Sequence, residues 1–329
     1  MVAFIARHLC RTPLAILLSL FCLNGAAVAA DFPERPIRLV VPWSVGGSTD
    51  VLGRIVAEQM AKQSGQSIVV ENRPGATGTI GTNSVVRAKG DGYTTLLGTN
   101  STFGIAPYLY DDLPYNHVKD LQAVGFIASN QQILVVHPNV PVNSLDEFID
   151  YARKNPGKLN FASSGKGGSS HLAMELLMSM AGVELTHVPY KGGAPALQSV
   201  LSNETDTAFV DVTTVVPLIE GKNVRALGSS GTQRAPGLPN VPTIDEAGLS
   251  GFASQTSFGL FVPKGTPVAV VGQLNELINS SIQDAETAAK LRNLGYEMNP
   301  GTPEDFSSYV NQESEKWGRL IRQRNIRIE

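Results

Sequence analysis

Residues Ile37–Asp50, with the sequence IRLVVPWSVGGSTD, join a short apolar run to a glycine-rich turn. The β-branched run Ile37–Val41 is typical of a buried strand, and the proline that follows ends it. Gly46–Asp50 provide the turn, and apolar residues then recur at helical spacing over Val51–Met60 until Gly65. The stretch therefore predicts a strand, a turn and a helix, which together begin a βαβ unit.

The same alternation continues along the chain and restarts after residue 130. Further strands are predicted at Ile68–Val70, Tyr93–Leu97, Ile133–Val136, Leu159–Ala162, Leu185–Val188, Ala208–Val212 and Val224–Leu227. Helices are predicted between them, including one capped by Ser144 with Glu147, one over Ser169–Met180 and a last one that begins at Thr302. Strands that alternate with helices predict parallel sheets with right-handed crossovers. A chain of 329 residues is long enough for two such α/β domains.

The first 30 residues carry the pattern of an export signal. Arg7 and Arg11 precede an apolar stretch, and small residues follow up to Ala30. The apolar stretch has about ten residues, whereas a membrane-spanning helix needs about 20. We therefore expect a signal peptide that is cleaved between Ala30 and Asp31.

The composition excludes several classes of function. Both cysteines, Cys10 and Cys22, lie in the expected signal peptide, so the exported chain would have no thiol, iron–sulfur or zinc–cysteine chemistry. Lys and Arg together number 26 against 29 for Asp and Glu, which argues against a nucleic-acid partner. The histidines beyond the signal form neither H-x-H nor H-E-x-x-H, so we expect no metal site and no cofactor.

Four loops that follow predicted strands are rich in Gly, Ser and Thr: Trp43–Asp50, Thr99–Phe103, Ser163–His171 and Lys191–Ala194. Ligands of open α/β sheets bind beyond the carboxyl ends of the strands. Glycines let backbone N–H groups approach a ligand, and a helix N-terminus adds unpaired donors and partial positive charge. These loops therefore predict a site for a carboxylate or another anion, although each could instead be an ordinary capped turn.

Two motifs match enzyme signatures only in part. Gly75–Gly81 reads G-x-x-G-x-x-G, which differs from the dinucleotide fingerprint G-x-G-x-x-G. Ser163–Lys166 has the S-x-x-K spacing of penicillin-interacting serine enzymes but lacks their S-D-N and K-T-G partners. We therefore expect no catalytic residue, and an exported serine hydrolase that uses Ser163 and Lys166 is a less favoured alternative.

Three single residues leave a structural and a ligand-binding role open. His171 lies at the start of a helix after a Gly/Ser loop, so it could donate to a ligand or only cap and pack. Asp211 ends a strand, where it could accept from a ligand amine or hydroxyl or simply form a turn. Trp43 could form a wall of the pocket or cover the edge of the sheet.

An ordered set of short motifs resembles the periplasmic solute receptors of tripartite tricarboxylate transporters, the Bug family. The motifs include Ile37–Pro42 with Gly46–Asp50, Val70–Gly75, Asp91–Tyr93, Leu113–Tyr115, Gly157–Ser163, Val188–Gly192, Val241–Thr243 and Lys316–Gly318. They occur in order through residues 31–329, and the ordered set is more specific than any one of its members.

The resemblance implies a periplasmic-binding-protein (Venus flytrap) fold, in which two Rossmann-like α/β domains are joined by a two-segment hinge near 128–133 and 253–258. The expected domains are 31–130 plus 255–329 and 131–254, after a signal peptide over 1–30. The implied protein is a monomeric periplasmic receptor that closes around a small carboxylate and delivers it to a permease with large and small transmembrane subunits. The implied ligand is a dicarboxylate, a tricarboxylate, an acidic amino acid or an aromatic acid.

The resemblance implies ligand contacts on the first glycine loop and on the Gly/Ser loop of the second domain. With the other loops at strand ends, the candidate ligand-binding residues are Trp43, Ser44, Gly46, Gly47, Ser48, Thr99, Asn100, Ser101, Ser163, Ser164, Gly165, Lys166, Gly168, Ser169, His171, Gly193, Ala194 and Asp211.

The chain departs from the family pattern at some of these positions. Trp43 and Ser44 change the size and polarity of the first loop. Asp211 lies one place later than the acid of the family, and the alternation of a strand would turn it to the opposite side. Lys166 stands where small or amide residues are common and could contact a second carboxylate. The alternative on the same scaffold is a receptor that serves a sensor or signalling partner.

Overall fold

The computed structural model describes residues 32–324, 326 and 327, so the expected signal peptide and its cleavage site lie outside the described residues. The strands are β1 (Ile37–Val41), β2 (Ile68–Asn72), β3 (Thr94–Thr99), β4 (Leu121–Val136), β5 (Asn160–Ser163), β6 (Thr186–Pro189), β7 (Thr207–Asp211), β8 (Arg225–Ser229), β9 (Gln255–Pro263) and β10 (Tyr296–Met298). The α-helices are α1 (Ser48–Ser64), α2 (Thr79–Val86), α3 (Ala106–Leu109), α4 (Leu145–Lys154), α5 (Ser169–Ala181), α6 (Gly193–Leu201), α7 (Val212–Glu220), α8 (Val268–Gln283), α9 (Ala285–Asn293) and α10 (Pro303–Arg324). A 3-10 turn at Ala76–Gly78 precedes α2, and a π-helical turn at Ser101–Ile105 precedes α3.

The strands form two groups that share the long strand β4. The first group has the order β2-β1-β3-β9-β4, with β10 also paired to β4. In the second group, β7 and β8 pair with β4, and β5 and β6 continue from β7. Along β4, Gln131 pairs with Gln255 of β9, whereas Gln132 pairs with Asp211 of β7. We call the two groups, with their helices, the first and the second lobe, because β4 changes partners between these two residues.

The pairing is parallel in only part of each lobe. Strand β1 is parallel to β2 and β3, and β5 is parallel to β6 and β7. Strand β9 is antiparallel to β3 and β4, and β4 is antiparallel to β7 and β8. The predicted parallel pairing is therefore present in the βαβ units, and the sequence did not predict the antiparallel pairs that join them. The antiparallel pairs all involve β4 and β9, which run from one lobe towards the other and are not tied to a neighbour by a βαβ connection.

Signals at the helix ends act as the sequence predicts. The Ser144 side chain accepts a hydrogen bond from the Glu147 N–H at 3.2 Å and caps α4. At α10, Thr302 Oγ1 accepts from the Asp305 N–H at 3.1 Å. Gly65 ends α1 with a φ of 68°, a left-handed conformation that glycine adopts without steric cost. Local capping thus fixes where these helices begin and end.

Each sheet is buried on both faces. In the first lobe, α1 and α8 cover one face around Leu39 and Leu274, and Phe306 of α10 covers the other. In the second lobe, α4 and α5 pack around Phe161, whereas α6 and α7 pack around Ala208. Burial on both faces explains why the strands read as continuous apolar runs. Among the described residues, no helix is both long and apolar enough to cross a membrane.

Candidate ligand-binding site

Loops at the strand ends meet between the two lobes and line two adjoining cavities. The inner cavity has a volume of about 30 Å³ and the outer cavity a volume of about 270 Å³. A water molecule needs about 10–15 Å³ on this scale, so the inner cavity has room for about two waters, a space close to that of one carboxylate group. Trp43 and Ser164 line both cavities, which makes them neighbouring parts of one cleft.

The structure brings the predicted loops together, although not every candidate residue lines a cavity. The inner cavity is lined by the candidates Trp43, Ser44, Gly47, Ser48, Thr99, Ser101, Ser164, Ser169, Gly193 and Asp211, and the outer cavity adds Gly165 and Lys166. The candidates outside both linings are Gly46, Asn100, Ser163, Gly168, His171 and Ala194. These residues are sequence neighbours of lining residues and support the same loops.

Asp50 holds the first glycine loop in place. Its carboxylate accepts hydrogen bonds from the Gly46 N–H at 3.0 Å, Arg54 Nε at 3.1 Å and Asn72 Nδ2 at 2.9 Å. Burial alone would raise the pKa of Asp50, but these hydrogen bonds and the Arg54 charge hold it below its usual value. An ionised Asp50 therefore fixes the loop that leads into α1.

Three helices begin at the inner cavity. Its wall contains Gly47 and Ser48 at the start of α1, Ser169 at the start of α5 and Gly193 at the start of α6. The first N–H groups of a helix have no partner within it, and its N-terminus carries a partial positive charge. None of the described lining residues of the inner cavity is basic. The acidic residue among them is Asp211, whose pKa is raised by burial, which lessens its repulsion of an anion. An anion in this cavity would therefore be held by backbone groups rather than by side-chain charge.

The Gly/Ser loop before α5 offers fewer free donors than its sequence predicts. The Gly167 N–H donates to His171 Nδ1 at 3.0 Å, within the same loop. The Ser169 N–H donates to Ser101 Oγ at 3.0 Å, so a hydroxyl from the first lobe caps a helix of the second. A ligand at the start of α5 would therefore compete with Ser101, whereas α1 and α6 begin at Gly47 and Gly193 without a side-chain cap.

His171 packs beneath this loop. Its ring lies 4.0 Å from the ring of His187, and the two planes are 12° from parallel. Because Nδ1 of His171 accepts from the Gly167 N–H, its proton is on Nε2, which lies 3.5 Å from Glu175 Oε1. In the structure, His171 thus positions the loop and lines neither cavity. No cluster of His, Cys, Asp and Glu within the described residues could hold a metal ion.

Ser163 contacts His187, but the pair lacks the properties of an activated nucleophile. Ser163 is 0% exposed, and its Oγ lies 2.6 Å from His187 Nε2 and donates to the Gly165 carbonyl at 3.1 Å. Burial, together with His171 and Lys166 nearby, lowers the pKa of His187 to about 3, which makes it a weak base at neutral pH. The geometry therefore gives no support to a hydrolase that uses Ser163 and Lys166.

Replacing His187 with glutamine is expected to remove part of the pH dependence of stability. The pKa of His187 is about 3 in the folded protein against 6.5 for an ordinary histidine. Between these values the unfolded chain binds more protons, so the free energy of unfolding of the native protein falls as the pH drops, by at most about 1.4 kcal/mol per pH unit. Urea unfolding at pH 7 and pH 4.5 measures this difference.

The pH 7 to pH 4.5 difference should be smaller for His187→Gln than for the native protein. The matched control is His137→Gln, since His137 directly follows β4 and lines neither cavity. Equal pH differences in the native protein and His187→Gln would contradict a buried, neutral His187.

Asp211 lies in the cleft, so the expectation that strand alternation turns it away is wrong. Its carboxylate accepts from the Ser48 hydroxyl of the first lobe and from Thr256 Oγ1 at 2.9 Å. Strand β7 ends at Asp211 and α7 begins at Val212, so the alternation of a regular strand does not extend to this turn residue. Burial raises the pKa of Asp211, and the two hydroxyl donors oppose this only in part.

A further hydrogen bond crosses the cleft beside the outer cavity. The Thr77 hydroxyl donates to the Lys166 carbonyl of the second lobe, and Tyr110 OH donates to Thr77 Oγ1 at 3.2 Å. Thr77 has a φ of 54°, which is strained for a β-branched residue. A strained Thr77 thus lies where the two lobes touch.

Sequence reasoning missed lining residues on the crossing strands and near the 3-10 turn. Gln132 of β4 and Thr256 of β9 line the inner cavity, whereas Thr77 and Tyr110 line the outer one. Polarity is the signal that could have revealed Gln132, because Ser129–Gln132 form a buried polar run within an otherwise largely apolar strand. A polar run of this kind marks a strand that passes a cleft rather than a plain core.

Relatives of this chain match it along most of its length. The family described as "Tripartite tricarboxylate transporter family receptor" (TctC) matches residues 52–326. A UPF0065 protein in the tcbD-tcbE intergenic region of Pseudomonas sp. (strain P51) is 40% identical over 291 residues, which cover 88% of this chain and 86% of that protein.

Solved structures share the architecture. The structure of R. palustris Rpa4515 with adipate matches with a TM-score of 0.88 and 34% identity, covering 90% of this chain and 100% of that one. The periplasmic binding protein BugD matches with a TM-score of 0.86 and 34% identity, again covering 90% and 100%. The predicted two-domain periplasmic-binding-protein fold and the Bug resemblance are thereby confirmed. The chain belongs to the receptor family of the tripartite tricarboxylate transporters.

Proposed function

We propose that this protein binds a small organic carboxylate between its lobes in the periplasm and delivers it to a membrane permease. The observation that carries the proposal is the meeting of three helix N-termini at one small cavity, whose described lining residues include no basic side chain. Backbone N–H groups at such positions bind carboxylates directly. The similar protein Rpa4515 was solved with adipate, a dicarboxylate, which supports the same ligand class here.

The domain limits that we propose are 31–130 plus 255–329 for the first lobe and 131–254 for the second, after a signal peptide over 1–30. Two observations support the limits: β4 changes partners between Gln131 and Gln132, and β9 begins at Gln255. Bending of these two strands would open and close the cleft.

Closure requires that the ligand interact better with the closed state than with the open one. A carboxylate in the inner cavity touches α1 of the first lobe and α6 of the second, so both sets of contacts exist only when the cleft is closed. The bond from Ser48 to Asp211 and the cap of Ser169 by Ser101 join the lobes in the same state. The closed form is then the form that docks on the permease.

The expected result of ligand addition is a rise in melting temperature of about 4 °C. A ligand at 100 times its Kd stabilises the folded protein by about 2.7 kcal/mol, and each kcal/mol shifts the Tm of a folded chain of this size by about 1.6 °C. Thermal denaturation with a panel of adipate, malate, citrate, glutamate, benzoate and terephthalate measures the shift. Adipamide, which lacks the charge of adipate, is the matched control and should give no shift. A panel in which every acid leaves the Tm unchanged would contradict the receptor function.

A further inference from the structure

The outer cavity lies beside the proposed carboxylate site and has a different chemistry. Its wall contains the aromatic residues Trp43, Tyr110 and Tyr190 and the cations Lys166 and Lys191. None of its described lining residues is Asp or Glu. A ligand whose first carboxylate fills the inner cavity would extend its remaining atoms into this compartment, since the two cavities share part of their wall.

Trp43 lines both cavities and carries an unused hydrogen-bond donor. Its side chain is only 7% exposed, and its Nε1 atom is buried without a hydrogen-bond partner among the described residues. An indole N–H can only donate, and a buried one nearly always has an acceptor. Ser44 Oγ, on the adjacent residue, is also buried without a partner among those residues. An acceptor atom supplied by a ligand would satisfy this part of the wall.

The indole is held in a fixed position. The Trp43 carbonyl accepts from Asn72 Nδ2 at 3.1 Å, and Asn72 also donates to Asp50, so the backbone at Trp43 is part of the network that orders the first loop. A Cβ atom placed on Gly78 would lie only 3.4 Å from Trp43 Cζ2, which shows how closely the backbone there approaches the ring. The donor is therefore preorganised, because the ring packs against its surroundings before any ligand arrives.

The charge of the outer cavity complements a second anionic group. Lys166 and Lys191 are exposed at its wall, where each can reach a carboxylate that remains near solvent. The aromatic residues favour a flat ring against them, since offset stacking adds to the burial of apolar surface. A flexible aliphatic diacid would lose more conformational freedom on entering the same space.

Resting on the proposed function, we propose that Trp43 is a specificity-determining residue that selects a flat, rigid diacid. One carboxylate lies in the inner cavity, the ring lies along the aromatic wall, and the second carboxylate lies beside Lys166. The Trp43 N–H donates to an oxygen of this ligand.

Isothermal titration with terephthalate, benzoate and adipate tests the proposal. Terephthalate is expected to bind at least tenfold more tightly than benzoate, which lacks the second carboxylate, and than adipate, which lacks the flat ring. Trp43→Phe keeps an aromatic ring but removes the N–H, and it is expected to weaken terephthalate binding at least tenfold. Trp317→Phe is the matched control, because the Trp317 N–H donates to Glu313 Oε2 at 2.7 Å in α10 and lies outside the cleft.

A second measurement does not depend on how well Trp43→Phe folds. The chain has two tryptophans, so in Trp317→Phe the fluorescence comes from Trp43 alone. Terephthalate is expected to change that emission at saturation. Three results would each overturn the role of Trp43: adipate binding as tight as terephthalate binding, an unchanged affinity for terephthalate in folded Trp43→Phe, or an unchanged emission at saturation. None of them would contradict the carboxylate receptor. Absence of terephthalate binding by a protein that binds another acid of the thermal-denaturation panel would overturn the selection of a flat diacid alone. Absence of binding by every acid of that panel would overturn the proposed function with it.

Discussion

Replacing Gly47 with aspartate is expected to raise the Kd for the bound acid about 100-fold or more while the protein remains folded. Gly47 is the N-cap of α1 with φ −78° and ψ 167°, an extended conformation that any residue can adopt. A Cβ atom there would meet only the Ser44 carbonyl, at an ordinary contact distance of 3.6 Å. Aspartate is a favourable N-cap, but its carboxylate would take the helix donors and repel a ligand anion a few ångströms away by about 4 kcal/mol.

Gly47→Asn separates this charge effect from simple crowding. Asparagine has the shape of aspartate and also caps helices well, but it carries no charge. Titration calorimetry should therefore show a much smaller loss of affinity for Gly47→Asn than for Gly47→Asp. Thermal denaturation should give both variants a Tm at or above that of the native protein. Native-like binding by Gly47→Asp would contradict the anion site at the start of α1.

Replacing Phe306 with alanine is expected to lower the free energy of unfolding by about 3–5 kcal/mol. Phe306 is 1% exposed, and its ring centroid lies 6.0 Å from that of Phe103, 5.9 Å from that of Phe126 and 5.0 Å from that of Phe261. A Cβ atom placed on Gly259 would lie 2.0 Å from its Cζ, so the ring fills space that this glycine leaves open. Its removal would leave a cavity between α10 and the sheet of the first lobe.

Urea unfolding followed by circular dichroism measures the loss in Phe306→Ala. Phe306→Leu is the matched control, since it keeps most of the apolar volume and should lose clearly less stability. Phe103 belongs to the π-helical turn Ser101–Ile105, so the Phe306 cluster also supports the segment that carries Ser101 to the cleft. A loss below about 1 kcal/mol in Phe306→Ala would contradict the role of this cluster in holding the first lobe together.

The sequence predicted the fold best where one strand and its following helix are adjacent in the chain. Strand β1 was predicted at Ile37–Val41, and α5 at Ser169–Met180 against Ser169–Ala181 in the structure. Strand β4 was predicted only over Ile133–Val136 but begins at Leu121. Its polar run Ser129–Gln132 interrupts the apolar pattern because these residues lie where the strand passes between the lobes. Strand β9 pairs with strands that are distant in the chain. The local periodicity of a sequence does not indicate which distant strand is the partner.

The loops of the site could be predicted, whereas the contacts between them could not. Gly47, Ser169 and Gly193 follow strand ends at the starts of helices, and the common placement of such ends at one edge of a sheet brings them together. The hydrogen bond from the Ser169 N–H to Ser101 of the other lobe depends on how the two lobes pack together. The burial of His171 under its loop depends on the ring of His187, which a separate strand supplies. Local sequence specifies where donors lie, and tertiary packing determines which of them remain free.

A crystal structure with the acid that gives the largest thermal shift is the most direct test of the carboxylate receptor. The account predicts closed lobes and a ligand carboxylate oxygen within about 2.7–3.2 Å of backbone N–H groups at the starts of α1 and α6, near Ser48 and Gly193. A ligand carboxylate bound away from these helix starts, or closed lobes with the acid bound elsewhere on the protein, would contradict it.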